Sequence, residues 1–201
     1  MDFIRQLEHL DQNVSLWINS FNSPLTDSIW TFFSDRLIWI PLYLWVLVLI
    51  IVKLGVKKGL IAILFMVLAI LCVDQFCNLI KNAVCRLRPC NDLSIVKKGL
   101  HMLAGASQRH PYGFFSAHAA NAMAFAVGGG IILKKIIWKV SLDIWAALVG
   151  ISRIFVGKHY LGDVLIGFIV GAIVAAVLLN ICRLILFKTR TAKSPDAPQG
   201  V

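Results

Sequence analysis

A short stretch near residue 160 combines a histidine, a carboxylate and a fixed cation. It runs from Ser152 to Asp163 and reads Ser-Arg-Ile-Phe-Val-Gly-Lys-His-Tyr-Leu-Gly-Asp. Because His159 and Asp163 are four residues apart, one helical turn would place them on the same face. A carboxylate there can hold one imidazole nitrogen and leave the other as a nucleophile or base. Arg153 offers a planar fork of donors that suits phosphate oxygens. A capped loop with an ordinary ion pair is the alternative interpretation.

A second cluster pairs two cations, Lys81 and Arg88, followed directly by Pro89. Their spacing of seven residues equals two helical turns, so a helix would point both side chains the same way, and Pro89 should end that helix. Two cations aimed together repel each other unless an anion lies between them. The alternative is that both side chains reach separately for the membrane interface.

A third cluster reads Phe115-Ser-Ala-His118 and precedes an apolar run. At a helix N-terminus, the backbone N–H groups and the Ser116 hydroxyl can hold an anion. His118 could then act as a general acid. A capped helix with a buried histidine is the alternative, and this cluster alone would not exclude it.

The composition indicates that these clusters sit on an integral membrane protein. The chain has 201 residues, 59% of them apolar and 15% charged, whereas soluble domains average about half apolar and a quarter charged residues. Its length suggests one domain. The net charge of +10 could indicate nucleic-acid binding. We exclude nucleic acid as a partner because the cations lie in short loops between apolar runs, where they suit anionic lipid.

Five apolar segments are long enough to cross a bilayer, so the predicted fold is an all-α polytopic bundle. Each spanning helix needs about 20 residues and satisfies its own backbone in lipid. Asp74 falls inside the second segment and should face the bundle interior in a helix-packing hydrogen bond. The segments are Leu37 to Val52, Leu60 to Ile80, Phe114 to Leu133, Val140 to Val156, and Leu161 to Leu186.

The first 36 residues form amphipathic helices too short or too polar to span. Apolar residues recur at helical spacing from Phe3 to Phe21, which predicts a helix that lies in the membrane interface or packs on the bundle. No cleaved signal peptide is expected. Ser23 and Pro24 then start a second short helix as N-cap and first residue.

Basic residues predict the orientation. They gather in three regions that five spans would place on one side, and the positive-inside rule makes that side cytoplasmic. The three polar clusters then face the periplasm. Residues 1–36 are thus interfacial helices, residues 37–187 the transmembrane bundle, and residues 188–201 a disordered cytoplasmic tail. The basic regions contain Lys53, Lys57 and Lys58; Lys134, Lys135 and Lys139; and Arg183, Lys188, Arg190 and Lys193.

The combined clusters favour a doubly charged anion as ligand. Lys81, Arg88 and Arg153 outnumber the single carboxylate of Asp163. A phosphate monoester carries a charge of about −1.5 to −2, which suits such a pocket.

In order and spacing these clusters resemble the type 2 phosphatidic acid phosphatase superfamily, which shares its site with vanadium haloperoxidases. That family's pattern is Lys-x6-Arg-Pro, then Pro-Ser-Gly-His, then Ser-Arg-x5-His-x3-Asp. The first and third motifs match fully. The second departs twice, with Phe115 for proline and Ala117 for glycine. Alanine keeps the backbone N–H, so activity is expected, although the turn geometry is open.

The resemblance implies a metal-independent enzyme without a cofactor. Lys81, Arg88, Arg153 and Ser116 would bind the phosphate. His159 would attack phosphorus, with Asp163 holding its other nitrogen, and His118 would protonate the leaving alkoxide and later activate water. No zinc spacing is present, and the sequence offers no metal site.

The resemblance leaves several substrates open. Members of this size act on lipid A, undecaprenyl diphosphate, phosphatidylglycerol phosphate or phosphatidic acid. The loop from Asn91 to Gly113 should touch the head group, and its basic residues suit a large polyanionic head; they are Lys97, Lys98, His101, Arg109 and His110. The chain looks most like short Gram-negative members that trim lipid A, with the 4′-phosphate as a candidate position, and this resemblance implies a bacterial inner membrane. Its partners would be a membrane phospholipid or glycolipid and the bilayer.

Two other points stay open. A non-catalytic scaffold that holds anionic lipid is a hypothesis from another class, although binding alone needs no nucleophile with an orienting carboxylate. Cys85 and Cys90 could pair if they are periplasmic, but free thiols are the expected state. The sequence does not indicate an oligomeric state.

Overall fold

The computed structural model describes residues 2–103 and 110–188, with side chains for 3–103 and 110–186. Within these ranges the chain is a bundle of α-helices, so the all-α prediction is confirmed. A short 3₁₀ turn, Leu37–Trp39, leads into the third helix. The helices are α1 Asp2–Asn19, α2 Pro24–Ser34, α3 Ile40–Leu54, α4 Val56–Val84, α5 Leu93–Lys97, α6 Ala117–Leu133, α7 Ile136–Phe155 and α8 Leu161–Lys188.

The central helix is α6, which packs against α3, α4, α7 and α8. Its sequence is rich in alanine and glycine, and small residues let helix backbones approach closely. Two glycines of α8 complete this contact. A Cβ at Gly171 would lie 2.1 Å from the backbone oxygen of Ala120, and one at Gly167 would lie 2.7 Å from that of Ser116. The α6–α8 contact therefore depends on bare backbone at these positions.

Within the part of the chain that the structure describes, three helices are long and apolar enough to span a membrane: Leu37–Leu54, Val56–Val84 and Leu161–Leu186. The fourth predicted span corresponds to α7, which carries Lys139, Asp143 and Arg153. The third corresponds to α6, an apolar helix of 17 residues. The count of five spans therefore stays a prediction. Inside α4, the Asp74 carboxylate accepts a hydrogen bond from the Asn121 amide at 2.8 Å, which confirms the predicted packing role.

Helix α1 turns its polar face inward and its apolar face outward. Asp11, Ser15 and Asn19 follow one another at intervals of four residues and lie against the bundle. Phe3 and Trp17 of the opposite face are 70% and 64% exposed. The polar face thus packs on the bundle, while the apolar face is open to a membrane interface. The interfacial location itself stays a prediction.

The polar face of α1 holds the segments that enter and leave the third motif. The Asn19 amide donates to the backbone oxygens of His101, Ile154 and Phe155 at 3.0, 3.0 and 3.1 Å. It also accepts from the N–H of His101 at 2.8 Å. The Ser15 hydroxyl accepts from the N–H of Leu161 at 2.8 Å, so it caps the start of α8.

Helix α2 begins as the sequence predicts. The Ser23 hydroxyl accepts from the N–H of Thr26 at 3.2 Å, and Pro24 occupies the first turn. The helix packs on α7, where Trp30 stacks on Phe155 with ring centroids 4.4 Å apart. Its last residue, Ser34, thereby reaches the polar end of the bundle.

The basic regions meet at the other end of the bundle. Lys53, Lys134 and Arg183 line a common cavity of about 250 Å³, as the prediction of a shared side requires. The Lys53 ammonium donates to the backbone oxygen of Leu133 there. Which side of a membrane this end faces stays a prediction. The predicted tail falls almost wholly on residues 189–201, outside the described residues.

Candidate active site

A polar cavity of about 400 Å³ gathers most of the residues that the sequence singled out. Five of the seven predicted site residues line it directly, and they come from all three motifs. The cavity lies where α2, α4, α6 and α7 end or begin, next to the turn before α8. Its lining residues are Ser34, Asp35, Arg36, Leu37, Lys81, Arg88, Ala117, His118, Arg153, Lys158 and His159.

Lys81 and Arg88 both reach the cavity, but they do not do so along one helix. Helix α4 ends at Val84, because Cys85 adopts a left-handed conformation with φ of 52°. The chain then runs extended beside residues 111–113: Arg88 N–H donates to the Pro111 oxygen at 2.9 Å. The prediction of a continuous helix from Lys81 to Arg88 is therefore wrong. The juxtaposition of the two cations is achieved by this extended segment.

His159 and Asp163 are in contact, although His159 precedes α8 and Asp163 lies in its first turn. The His159 Nδ1 atom is 3.4 Å from Asp163 Oδ2, and its Nε2 atom is 3.1 Å from an Arg88 Nη1. A carboxylate only accepts and a guanidinium only donates. The neutral ring therefore carries its proton on Nδ1 and a lone pair on Nε2, the atom that faces the cavity's cations.

The protonation state of His159 suits a nucleophile. Burial lowers the pKa of His159 to about 4, against the opposing effect of the Asp163 carboxylate. Arg88 and Arg153 act in the same direction as burial. The imidazole is therefore neutral at physiological pH, and its Nε2 lone pair is available for attack.

Arg88 and Arg153 are buried cations that donate hydrogen bonds to neutral groups. They are 6% and 5% exposed. Arg88 Nε donates to the backbone oxygen of His110 at 3.1 Å, and Arg153 Nη1 donates to the hydroxyl and backbone oxygens of Ser34. Within the described residues neither guanidinium forms a salt bridge with a carboxylate. Burial lowers the pKa of Arg88. A cavity with such cations is incomplete without an anion.

The second motif places a helix N-terminus at the cavity. Ser116 is the N-cap of α6, and its fully buried hydroxyl accepts from the N–H of Ala119 at 3.4 Å. The hydroxyl hydrogen remains available for another acceptor. Ala117 and His118 of the same turn line the cavity.

The two departures from the family pattern are accommodated. Ala117 is the first residue of α6, a position that needs no left-handed backbone, so alanine replaces glycine without strain. Phe115 is 1% exposed and packs in the core against Phe76, with ring centroids 6.0 Å apart. Its ring therefore anchors the turn before α6 in the core.

Arg36 is a site residue that the sequence motifs did not reveal. It follows α2, about 45 residues before the first motif, and lines the cavity. Its Nε donates to His118 Nε2 at 3.0 Å, and its Nη2 lies 3.1 Å from His118 Nδ1. A lone arginine in a loop carries no sequence signal. Lys158, within the third motif, also lines the cavity, and burial lowers its pKa.

Arg86 is the second residue that sequence reasoning missed. Its Nη1 donates to Asp163 Oδ1 at 2.9 Å and its Nη2 donates to Asp11 Oδ2 at 2.7 Å. Its guanidinium carbon lies 4.2 Å from the ring centroid of Tyr160. Its position two residues before Arg88, inside the first motif, was the available signal.

The loop from Asn91 to Gly113 contributes to the site through its backbone. Its described part supplies the His110 oxygen that holds Arg88, whereas the His101 imidazole pairs with Asp27 of α2 at 2.9 Å. Arg109 lies outside the described residues. The predicted contact of this loop with a head group stays a prediction. Cys85 and Cys90 are not joined by a disulfide in the structure, as expected.

An apolar chamber of about 340 Å³ adjoins the polar cavity. The two share Ser34, Asp35, Arg36 and His118. The chamber extends between α3, α4, α6 and α7, and its walls are aromatic and aliphatic. Its remaining lining residues include Trp39, Tyr43, Met66, Phe125 and Trp145. A molecule with a phosphate at one end and hydrocarbon at the other would match this combination.

Comparisons with known proteins identify the family of this chain. Residues 58–185 match the sequence profile of the PAP2 superfamily. A lipid A 4′-phosphatase of Bacteroides thetaiotaomicron is 29% identical over 169 residues, which are 84% of this chain and 75% of that protein. A lipid A 4′-phosphatase of Porphyromonas gingivalis is 25% identical over 204 residues, covering 100% of this chain and 84% of that protein.

Two crystal structures resemble the fold. The transmembrane PAP2-type phosphatidylglycerolphosphate phosphatase from Bacillus subtilis superposes with a TM-score of 0.70 at 20% identity, over 90% of this chain and 88% of that one. Aquifex aeolicus LpxE superposes with a TM-score of 0.61 at 23% identity, over 84% of this chain and 93% of that one.

Proposed function

This chain belongs to the PAP2 superfamily and is a multi-pass membrane lipid phosphatase, and on that premise we propose that it hydrolyses a phosphate monoester of lipid A through a phosphohistidine. The proposed position is the 4′-phosphate, the group named for two relatives at 29% and 25% identity. Undecaprenyl diphosphate, phosphatidylglycerol phosphate and phosphatidic acid are the alternative substrates, and the assay below distinguishes them.

One observation carries the proposal: two buried arginines face a cavity that is also lined by a neutral histidine. The proton of this histidine is on Nδ1, so its Nε2 lone pair is available. Arg88 and Arg153 require an anion, and Lys81, Arg36 and Lys158 add positive charge around the same space. A scaffold that only held anionic lipid would need the cations but not His159 with its orienting carboxylate. The arrangement therefore favours transfer of a phosphoryl group over binding alone.

In the first step His159 Nε2 attacks phosphorus. A P–N bond forms and the bond from phosphorus to the lipid oxygen breaks. The developing charge on the phosphoryl oxygens is stabilised by Arg88, Arg153 and Lys81 and by N–H groups at the start of α6, with the Ser116 hydroxyl as a further donor. Asp163 holds the Nδ1 proton, so the imidazole keeps its orientation while it becomes positively charged.

The lipid oxygen leaves as an alcohol because His118 donates a proton to it. His118 Nε2 accepts a hydrogen bond from Arg36 Nε, which holds the ring in its neutral form. The bound phosphate dianion offsets the charge of Arg36 and Arg153 and thereby favours protonation of His118. Binding of the substrate and protonation of His118 are thus coupled.

In the second step water attacks the phosphohistidine. His118, now neutral, takes a proton from the water, the P–N bond breaks, and inorganic phosphate and free His159 are released. In this reaction the guanidinium and ammonium groups stabilise the charge on the phosphoryl oxygens. We therefore propose that the reaction proceeds without a metal ion.

The apolar chamber suits the hydrocarbon part of the lipid. It adjoins the cavity through Arg36 and His118, so a head-group phosphate at His159 would leave its chains among Trp39, Tyr43 and Phe125. With the basic ends of the helices in the cytoplasm, this site faces the periplasm of an inner membrane. That topology would give access to lipids of the outer leaflet.

The experiment is a phosphate-release assay with the full chain purified in mild detergent, in the presence of EDTA. The substrates are lipid A, undecaprenyl diphosphate, phosphatidylglycerol phosphate and phosphatidic acid. We expect lipid A to be preferred by at least tenfold in kcat/KM, about 1.4 kcal/mol of transition-state discrimination. Mass spectrometry of the product identifies the phosphate removed. Preference for another lipid would replace lipid A in the proposal.

The matched variants are His159→Ala and His9→Ala, since His9 is an exposed histidine of α1. His159→Ala should lose turnover, and vanadate, which mimics the pentavalent phosphorus, should inhibit the parent. Equal rates for the parent and His159→Ala would remove the enzyme hypothesis in favour of a lipid-binding scaffold. Loss of activity in EDTA that added metal restores would remove the metal-independent mechanism.

A further inference from the structure

The catalytic carboxylate Asp163 is held by more than its histidine. Its Oδ2 faces His159 Nδ1 and also accepts from the N–H of Tyr160 at 3.1 Å, while its Oδ1 accepts from Arg86 Nη1 at 2.9 Å. The carboxylate is fully buried. Arg86 thus fixes the oxygen that the histidine does not use. Rotation of the carboxylate about its Cβ–Cγ bond would break that contact.

Arg86 is in turn held by α1. Its second terminal nitrogen donates to Asp11 Oδ2 at 2.7 Å, and Asp11 Oδ1 accepts from the N–H of Gly162 at 2.7 Å. A Cβ at Gly162 would lie 2.8 Å from Asp11 Oδ2, so glycine is needed for this close approach. A chain of contacts therefore runs from Asp11 of α1 through Arg86 to Asp163, the carboxylate that holds His159.

The charge environment of Arg86 differs from that of the phosphate-facing arginines. Burial disfavours its charge, but Asp163 and Asp11 outweigh this effect and raise the pKa of Arg86. For Arg88 burial prevails and the pKa is lowered. Arg86 is also absent from the lining of the polar cavity within the described residues. The Arg86 guanidinium is thus already paired with three carboxylates, those of Asp163, Asp11 and, at 3.7 Å, Glu8, and it does not need a phosphate as a partner.

We propose that Arg86 is a positioning residue for the phosphoryl-transfer reaction and that Asp11 of α1 holds it in place. By fixing Asp163 Oδ1, Arg86 keeps Oδ2 directed at His159 Nδ1 and so maintains the tautomer with its lone pair on Nε2. The polar face of α1 is then part of the catalytic apparatus. This inference rests on the proposed phosphatase function. It gives a role in the reaction to two residues, Arg86 and Asp11, to which the family pattern assigns none.

Loss of Arg86 should change the pH dependence of the reaction as well as its rate. Without this cation, the His159–Asp163 pair binds a proton more readily, because a positive charge 2.9 Å from the carboxylate is gone. The protonated pair cannot attack phosphorus, so the acid limb moves to higher pH. The charged and titratable groups that face the pair, and that the variant leaves in place, are Arg88, Lys158, Arg153, His118, Tyr160 and Asp11.

The experiment measures kcat and KM of the parent, Arg86→Gln, Arg86→Lys and Asp11→Asn between pH 4.5 and 8.5, on whichever lipid the parent hydrolyses best (~4 pH units, a range in which histidine and phosphate titrate). We expect Arg86→Gln to lower kcat at least tenfold and to shift the acid limb upward relative to the parent on the same substrate. Arg86→Lys should recover part of the shift, because it keeps the charge. Asp11→Asn should move in the same direction by less.

Inorganic phosphate separates positioning from binding. Arg88, Arg153 and Lys81 are intact in these variants, so the inhibition constant of phosphate should stay within about threefold of the parent's, less than 1 kcal/mol. The matched control is Arg5→Gln, which removes a guanidinium from the exposed side of α1 and should match the parent throughout.

Two results would overturn the proposal while leaving the phosphatase function intact. One is a rate for Arg86→Gln equal to that of the parent. The other is a uniform loss of rate with an unshifted acid limb in all three variants, which would indicate a merely structural role. If Arg86→Gln does not fold, as judged by its elution and unfolding temperature in detergent, Arg86→Lys and Asp11→Asn decide the question. An inactive parent would instead argue against the proposed function itself.

Discussion

The guanidinium of Arg36 donates a hydrogen bond to the imidazole of His118 at 3.0 Å, so the loop after α2 reaches the helix that begins the second motif. The two residues are 82 positions apart in the chain. They meet where the polar cavity and the apolar chamber join. This contact places a cation, which no motif predicts, beside the proposed acid and at the point where a lipid head group would enter.

Removing Arg36 should weaken substrate binding more than it slows the chemical step. Arg36 attracts the phosphate dianion both before and during the reaction, and loss of such uniform binding raises KM. We expect Arg36→Ala to raise KM about tenfold with kcat within threefold, and Arg36→Lys to lie between it and the parent. Steady-state kinetics on the preferred lipid provide the measurement. Lys57→Ala, which removes an exposed cation from the opposite end of α4, should behave as the parent. A fall in kcat with unchanged KM would contradict this role.

Arg153→Met should separate stability from activity. A buried cation without an acidic partner is costly, and a hydrophobic residue of similar length removes that cost. We expect kcat/KM to fall at least about 100-fold, whereas the unfolding temperature without phosphate is equal to or higher than that of the parent. Vanadate should raise the unfolding temperature of the parent but not that of Arg153→Met.

The measurement is a thermal unfolding scan in detergent with and without vanadate. Arg183→Met, at the far end of the bundle, should keep both activity and the response to vanadate. An Arg153→Met protein that is much less stable than the parent would indicate that Arg153 holds the fold through Ser34 instead of awaiting an anion.

The stability of the protein should fall as the pH is lowered from about 6.5 to about 4. In this window unfolded His159 binds a proton but folded His159, with its pKa near 4, does not. Protons therefore favour the unfolded chain, and this group contributes no such effect at neutral pH. The loss amounts to at most about 3 kcal/mol, at about 1.4 kcal/mol per pH unit.

Unfolding midpoints at pH 7.5, 5.5 and 4.5, spanning about 3 units, would measure this effect. His159→Gln removes the titrating ring and should show a flatter dependence than the parent. His9→Gln removes an exposed histidine and should keep the parent's slope. Parallel curves for the parent and His159→Gln would show that the buried ring is not the cause.

Asn19→Ala should destabilise the end of the bundle that carries the polar cavity. The substitution removes bonds to His101, Ile154 and Phe155 and leaves their backbone groups without that partner. We expect a loss of about 2–4 kcal/mol in the free energy of unfolding. Asn13→Ala, on the exposed side of the same helix, should stay within about 0.5 kcal/mol of the parent. Equal stabilities of the two variants would contradict the contact.

The sequence predicted which residues gather at one cavity better than it predicted the path of the chain. The residues of the three motifs have distinctive types and spacings, and the structure places Lys81, Arg88, His118, Arg153 and His159 around one cavity. The predicted helical route from Lys81 to Arg88 failed because a left-handed residue, Cys85, ends α4 four residues after Lys81. Cysteine has no preference for the left-handed region, so the sequence did not indicate this conformation.

The remaining site residues lacked a local pattern. Arg36 belongs to a loop and meets His118 only through the packing of α2 on α7. Arg86 lay inside a motif, but its partner Asp11 is 75 residues away. The polar series Asp11, Ser15, Asn19 was a usable signal, because residues four apart share a helix face. It was compatible with both locations considered for α1, and only tertiary contacts show which side faces inward.

The outward apolar face of α1 has a practical consequence for anyone who purifies this protein. In the predicted interfacial location, the bilayer is one of the two surfaces that hold the helix, and a short-chain surfactant replaces that surface with a small, mobile micelle. Extraction would then loosen Asp11 before it disturbs the helices of the bundle. Turnover in a lipid nanodisc should accordingly exceed turnover in such a surfactant, even for a soluble phosphate ester that needs no membrane to reach the site.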